Sequence, residues 1–537
     1  MRENGRDSET TRDWLTHRAR TSPEATALVE AGDGTERTYA ELDSAVSETA
    51  GRLAALGVRE GDHLGVLMET SVAFVRLVHA AMRLGAVLVP LNARLARPEL
   101  ARQAETADLT LVVCERETEA DAVAVAEAVA GSDLPAAVPE LPVASVDSPE
   151  CESVAALRAA ERGDLDSGGE LADSGREVAG SGDFAPAEWS RSDTQAMLFT
   201  SGTTGDPKAV ELSMGNFLAS ATASAFRLGA TPDDRWLLCL SMYHMGGLSV
   251  VLRSALYGAT VVLQEGFDAG AAVDAIAEYE ATGVSLVPTM LRRMLDASEG
   301  EGLADSLRFV LLGGAPASDD LISRCETLGV PVHPTYGMTE TASQIATARP
   351  REAFEHRGTV GRPLLWTDVT VIDGDGNPLP EGEVGELAVS GPTVMAGYYG
   401  DREATAAAFG PHGLRTGDVG YRDEGGRIWV LNRREDRIVT GGENVHPGEV
   451  VEVLREHSGV RDAAVVGLDD EEWGERVAAL VVPEGDAELS VAALEAHFEG
   501  RLAGYKRPRT VEFADELPRT ASGTVEREAV RERLRKS

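Results

Sequence analysis

The chain has 537 residues, 43% of them hydrophobic and 5% aromatic, which suits two or more globular domains and excludes a disordered polymer. Its formal charge of −39 argues against unaided binding to nucleic acid or to an anionic membrane, whose phosphates it would repel. Its four cysteines, Cys114, Cys151, Cys239 and Cys325, are far apart and form no CxxC pair, so a disulfide framework or a zinc knuckle is not expected.

Acidic residues are spread along the whole length, and only three of the 50 basic residues are lysines. That balance suggests a high-salt cytoplasm, where a Debye length of roughly 3 Å at 1 M salt screens self-repulsion. The opening MRENGRDSETTRDW has no apolar signal core, and no run of about 20 apolar residues follows, so a cytoplasmic protein without membrane insertion is expected.

In chain order, short apolar runs alternate with helical patterns. ALVEA (27–31), HLGVLME (63–69), AVLVPL (86–91) and LTLVVC (109–114) read as strands, with amphipathic helices at 39–57 and 72–85 between them. Residues 131–192 break the pattern: between Asp147 and Glu188 lie eleven carboxylates and three arginines, which reads as a solvated, partly mobile insert or linker. The alternation resumes with AMLFT (196–200), a helix at 216–229, and strands ATVVLQ (259–264), VSLVP (284–288) and LRFVLLGG (307–314). Such alternation implies an α/β architecture of parallel sheets covered by helices. From about residue 367 short strands and turns take over, and a last α/β unit of about 100 residues, ample for a small domain, follows NRREDR (432–437). The expected boundary separates residues 1–432 from 433–537.

One stretch stands out. FTSGTTGDPK (199–208) places Thr200, Ser201, Gly202, Thr203, Thr204, Gly205 and Lys208 between a strand and a strand-or-turn segment. Glycines let backbone N–H groups crowd an anion, hydroxyls add donors, and the lysine adds a point charge. The Walker spacing is absent, since only two residues separate Gly202 from Gly205 and Lys208 follows a proline.

The stretch resembles the phosphate-binding signature of the acyl-adenylate-forming enzymes, which include acyl- and aryl-CoA synthetases, luciferases and peptide-synthetase adenylation domains. YGMTET (336–341), TGDVG (416–420), NRREDRIVTGGENVHP (432–447) and LPRTASG (517–523) follow in that family's order and approximate spacing. The resemblance implies a large N-terminal domain of packed parallel-sheet subdomains with a β-rich subdomain, and a small mobile C-terminal α/β domain that pivots near Glu435. It also implies ATP, Mg2+ and CoA as partners, with a homodimer plausible by family precedent. Tyr336 would offer a flat face to adenine, with Gly313, Gly314, Ala315, Gly337 and Thr339 beside it. Glu340, with Thr203, would hold Mg2+, because hard cations prefer oxygen ligands. Asp418 and Arg433 would contact the ribose, and Gly441, Gly442 and Glu443 would line the thiol tunnel. Taken singly, Tyr336 and Glu340 also read as a core tyrosine and a solvated glutamate.

The sequence departs from the family where a lysine is usual in PRTASGK, because Thr524 stands there. Arg519 or Arg527 could bring a guanidinium from the same loop. Alternatively adenylation is slow, since one lost charge-stabilising donor costs about 2.7–4 kcal/mol, or the chain performs only the thioester half-reaction, or it only binds adenylate. For the acid, residues 215–229, 242–258 and 336–347 look most like the branch that acts on 2-succinylbenzoate in menaquinone biosynthesis. That resemblance points His244, Ser343 and Gln344 at the substrate's polar groups, with Gly246 and Gly247 leaving space beside its ring. His244 alternatively reads as a core histidine with a satisfied hydrogen bond. Another aryl or medium-chain acid remains the alternative substrate.

Overall fold

The computed structural model describes residues 10–131, 141–157, 184–200, 208–433, 438–440, 443–445, 447–470, 473–485, 489–499, 501–502, 504–520 and 525–536. Two large sheets dominate the first 400 residues. One has nine strands, and its centre is a parallel run of Val332–Met338, Phe309–Leu312, Gly283–Leu286, Arg235–Leu238, Thr260–Leu263 and Thr26–Glu30. The other has eight strands, with Thr194–Thr200, Val87–Leu91, His63–Leu67, Leu111–Cys114, Val143–Ser145 and Ala155–Ala156 in parallel. One apolar cluster joins them, running from Leu64, Leu88 and Leu198 in the second sheet to Leu28, Trp236 and Val261 in the first. The α/β architecture expected from the alternation is therefore present.

Local chemistry sets the helix boundaries. At Tyr39–Ala55, Thr38 Oγ1 accepts from the Glu41 N–H at 3.2 Å and the Glu41 carboxylate accepts from the Thr38 N–H at 2.8 Å. Ser213 and Asn216 cap Met214–Leu228 in the same reciprocal way, and Gly229 ends that helix at φ +70°. Arg83 is buried between helices, its guanidinium donating to Asp13 at 3.1 Å and to Asp43.

Downstream lies a small antiparallel sheet of Asp368–Ile372, Gly385–Ser390, Phe409–Gly410, Gly413–Arg422 and Ile428–Arg433. A separate sheet follows, containing Ile438–Thr440, Glu443–Val445, Val460–Asp470, Gly474–Pro483 and Thr510–Phe513, with an apolar cluster on each face. Arg433 closes the strand Ile428–Arg433, so the boundary expected between 432 and 433 falls inside a strand of the preceding sheet.

The acidic window 131–192 is not simply a solvated linker. Val143–Ser145 and Ala155–Ala156 extend the eight-stranded sheet, Trp189 is 3% exposed, and its Nε1–H donates to the Met82 carbonyl at 2.7 Å. The average composition concealed short apolar stretches inside an acidic run. Residues 132–140 and 158–183 lie outside the described residues.

Candidate active site

Three elements converge at the carboxyl ends of the parallel strands, where open α/β sheets place their ligands. The first is the antiparallel pair Thr194–Thr200 and Lys208–Ser213, in which Thr200 faces Lys208 across the ladder. Ser201, Gly202, Thr203, Thr204 and Gly205 lie outside the described residues. The second is the hairpin of Val332–Met338 and Ser343–Thr347, whose connecting turn holds Thr339 and Glu340. A Cβ on Gly337 would sit 1.7 Å from the Ser343 carbonyl oxygen, so only glycine fits there. Ser343 itself has φ +106°, a conformation L side chains rarely adopt and a mark of stored backbone strain. Ser220 on the neighbouring helix braces this turn by donating to the Ala342 carbonyl at 2.6 Å, and the buried Arg253 donates to Ser220 Oγ at 3.0 Å. The third element is the ladder of Gly413–Arg422 with Ile428–Arg433, where Asp418 and Arg433 are direct cross-strand partners.

Two side-chain linkages tie these elements together. Tyr336 Oη donates to Asp418 Oδ2 at 2.6 Å, and Asp418 is 6% exposed. The two residues proposed from distant motifs thus share one corner. The other linkage runs through Tyr398, which the sequence reading did not single out. Its Oη donates to Glu340 Oε1 at 3.2 Å, and the Lys208 ammonium lies 5.0 Å from its ring centroid. Tyr398 reaches that place because Gly397–Tyr398 pairs as an edge strand with Glu211 and Val210. Asn216 steadies the approach by donating to the carbonyls of Pro392 and Val394, both at 2.8 Å.

Other expected residues are placed differently. Gly313 and Gly314 follow the Phe309–Leu312 strand, and a Cβ on Gly313 would meet Thr335 Cγ2 at 2.7 Å. Ala315 follows directly. His244 precedes the helix Met245–Tyr257 with its side chain exposed, and among the described residues its ring has no hydrogen bond, so it is not a satisfied core histidine. Partial loss of its water shell, reinforced by the Arg94 charge, holds its pKa below the ordinary value. Gly246 and Gly247 do not open space for a ring. A Cβ on Gly247 would lie 2.4 Å from the Ser241 carbonyl oxygen, and one on Gly246 3.1 Å from Leu240 Cδ1, so both glycines admit the preceding turn. Gln344 is 1% exposed and donates to Thr347 Oγ1 at 2.8 Å, while its Oε1 is buried without a partner among the described residues.

Near the C-terminus, Arg519 donates to Asp462 Oδ2 at 2.6 Å, and Arg455 holds the other carboxylate oxygen at 2.6 Å. The Arg519 guanidinium thus pairs with Asp462 in its own domain. Arg527 opens the helix Arg527–Leu534. Thr524, Glu435, Gly441 and Gly442 lie outside the described residues, as do the side chains of Arg433 and Glu443.

Comparison with known proteins gives this geometry a family. The profile described as AMP-binding enzyme matches residues 15–399, and that described as AMP-binding enzyme C-terminal domain matches 449–524. The chain belongs to the AMP-binding enzyme family. Among similar members is the 2-succinylbenzoate–CoA ligase of Bacillus pumilus (strain SAFR-032), 38% identical over 514 residues, covering 96% of this chain and 96% of that protein. The o-succinylbenzoate CoA synthetase of Bacillus subtilis, in complex with its acyl-adenylate intermediate, superposes with a TM-score of 0.83 at 34% identity, covering 97% of this chain and 98% of that one. A double mutant of the same synthetase, bound with a product analogue, gives only 0.69 at the same 34% identity, covering 97% of this chain and 99% of that one.

Proposed function

We propose that the chain is an ATP-dependent acid–CoA ligase that converts 2-succinylbenzoate, ATP and CoA to 2-succinylbenzoyl-CoA, AMP and diphosphate in menaquinone biosynthesis. The observation that carries this reading is end-to-end likeness to 2-succinylbenzoate–CoA ligases, 34–38% identical across nearly the full length. The cytoplasm is its proposed location, and among the described residues no helix is long and apolar enough to cross a membrane. A homodimer is the proposed assembly, open to test by light scattering.

In the first half-reaction a substrate carboxylate oxygen attacks the α-phosphorus of ATP, and diphosphate leaves with the electron pair of the broken P–O bond. In the second, the CoA sulfur attacks the acyl carbon, its proton passes to solvent, and AMP leaves with the pair of the C–O bond. Splitting one condensation into two displacements is the gain from an activated intermediate.

The protein's part is positioning and charge. Lys208, with Thr200, Ser201, Gly202, Thr203, Thr204 and Gly205, would hold the phosphates. The Tyr336 ring would lie against adenine beside Gly313, Gly314, Ala315, Gly337 and Thr339, while Asp418 and Arg433 hold the ribose. The sites fit Mg2+: Glu340 offers a 7% exposed carboxylate, and among the described residues no group of three or more acidic, histidine or cysteine side chains forms a closed cage. Mg2+ binds through one or two carboxylates plus substrate phosphates in this way, and when bound it neutralises phosphate charge. Thr203 would share that role, and Tyr398 keeps the Glu340 carboxylate oriented. His244 would contact the acid or gate the thiol path, Ser343 would reach the acid's polar end, and Gly441, Gly442 and Glu443 would line the thiol tunnel.

The test is ATP–diphosphate exchange in molar KCl with Mg2+, across 2-succinylbenzoate, benzoate, coumarate and octanoate. Exchange driven by 2-succinylbenzoate is expected despite Thr524. Exchange with another acid alone reassigns the substrate, and no exchange from folded, ATP-binding protein makes the chain an adenylate-binding protein instead.

A further inference from the structure

At the opposite ends of the same parallel strands lies an open groove, of about 320 Å3. It is lined by Phe226 and Arg227 from the last turn of the Met214–Leu228 helix, Arg308 before Phe309–Leu312, His333 in Val332–Met338, and Arg349. His333 and Tyr336 are three positions apart in one strand, about 10 Å at 3.3 Å per residue, so the two sites lie back to back.

The lining is strongly cationic in a chain of formal charge −39. Arg308 is paired with the buried Asp234. Arg227 donates to the carbonyls of Thr347 at 2.6 Å and Pro363 at 2.9 Å, which return no charge. The carboxylate of Glu352, which acts on Arg227 through space, is held by Arg362 at 2.6 Å. The exposed side chain of Arg349 has no hydrogen bond or ion pair with any described residue. Two guanidinium charges thus share a groove with no carboxylate paired to either among the described residues. Burial first, and then Arg349, hold the Arg227 pKa below its ordinary value. Burial also pushes His333 down to about 4, with the charges of Arg349 and Arg227 acting in the same direction. Such like-charge crowding is relieved by an anion, and guanidinium groups match planar carboxylates in a bidentate manner. Beside them the Phe226 ring is 70% exposed, an apolar surface without cover.

We propose that this groove binds an aromatic carboxylate, its head between Arg349 and Arg227 and its ring against Phe226. The volume is at the low end of the roughly 300–1,000 Å3 typical of small-molecule sites, which suits a ligand of one or two rings. The site stands apart from the ligase residues, none of which lines it.

The probe is 2-naphthoate, titrated calorimetrically in low-chloride buffer into full-length protein preincubated with 2-succinylbenzoate, ATP and Mg2+, so that the ligase site is filled. One binding event per chain is expected, weakened at least tenfold in Arg349→Glu and also in Phe226→Ser, with diphosphate exchange unchanged in both variants. Both side chains are exposed, so both variants fold. No binding, or an affinity in either variant equal to that of the unmodified protein, overturns the proposal.

Discussion

Replacing Tyr398 by phenylalanine separates its two contacts. The ring beneath the Lys208 ammonium stays, with its centroid 5.0 Å away, while the hydroxyl that donates to Glu340 Oε1 at 3.2 Å is lost. Glu340 is 7% exposed, so water does not freely replace that donor. A hydrogen bond to a charged acceptor contributes about 1.5–3 kcal/mol, and the 3.2 Å length puts this one at the lower end, about 1.5 kcal/mol. At 1.4 kcal/mol per factor of ten, Tyr398→Phe is expected to raise the Mg2+ concentration for half-maximal ATP–diphosphate exchange about tenfold. Tyr398→Leu also removes the ring, and an exposed cation–π contact of about 0.5–1 kcal/mol adds a further two- to fivefold loss, read in the KM for ATP. The assay is exchange at saturating acid with Mg2+ and ATP varied independently. An unchanged Mg2+ requirement in Tyr398→Phe, from protein of unaltered circular dichroism, would refute the idea that Tyr398 orients Glu340.

Arg519→Ala should lower the denaturation midpoint of the C-terminal domain, because Asp462 loses one of its two arginines, yet leave diphosphate exchange unchanged; a large fall in exchange would return Arg519 to the active site. Acid should weaken the fold below pH 6.5. Burial lowers the folded pKa of both His79 and His333 to about 4, so the stability tied to their neutral forms is complete above the unfolded pKa and is lost as pH falls toward 4. The loss is at most about 1.4 kcal/mol per pH unit for each histidine, and urea midpoints at pH 7 and pH 5 measure it, with His333→Gln flattening the slope. Raising KCl from 0.1 to 2 M should raise the melting temperature of so acidic a chain, and a falling melting temperature would contradict screening of self-repulsion.

Much of the scaffold was legible because buried parallel strands are short apolar runs with turns on either side. HLGVLME became His63–Leu67 and AMLFT became part of Thr194–Thr200. Tyr336, Asp418 and Lys208 were singled out by motif and resemblance. Tyr398 was not, since MAGYYG carries no charged or catalytic signature, and its position depends on pairing with Val210, nearly 190 positions away in the chain. The glycines of YHMGG misled for a related reason. A glycine advertises a missing Cβ without saying what fills the gap, and here it is the Ser241 backbone. Arg519 looked available because sequence cannot show that Asp462 already holds it.

The cross-strand pairing of Asp418 with Arg433 fixes the end of one strand to the ladder that carries Asp418. Arg433 is the last residue of its strand, stitched to the ladder that also carries Tyr336's partner. Under the proposed function, a swing of the following domain would leave the adenylate beside this ladder and exchange only the wall opposite it. The intermediate would then have no second site to reach, and a reactive anhydride would be spared a passage through water.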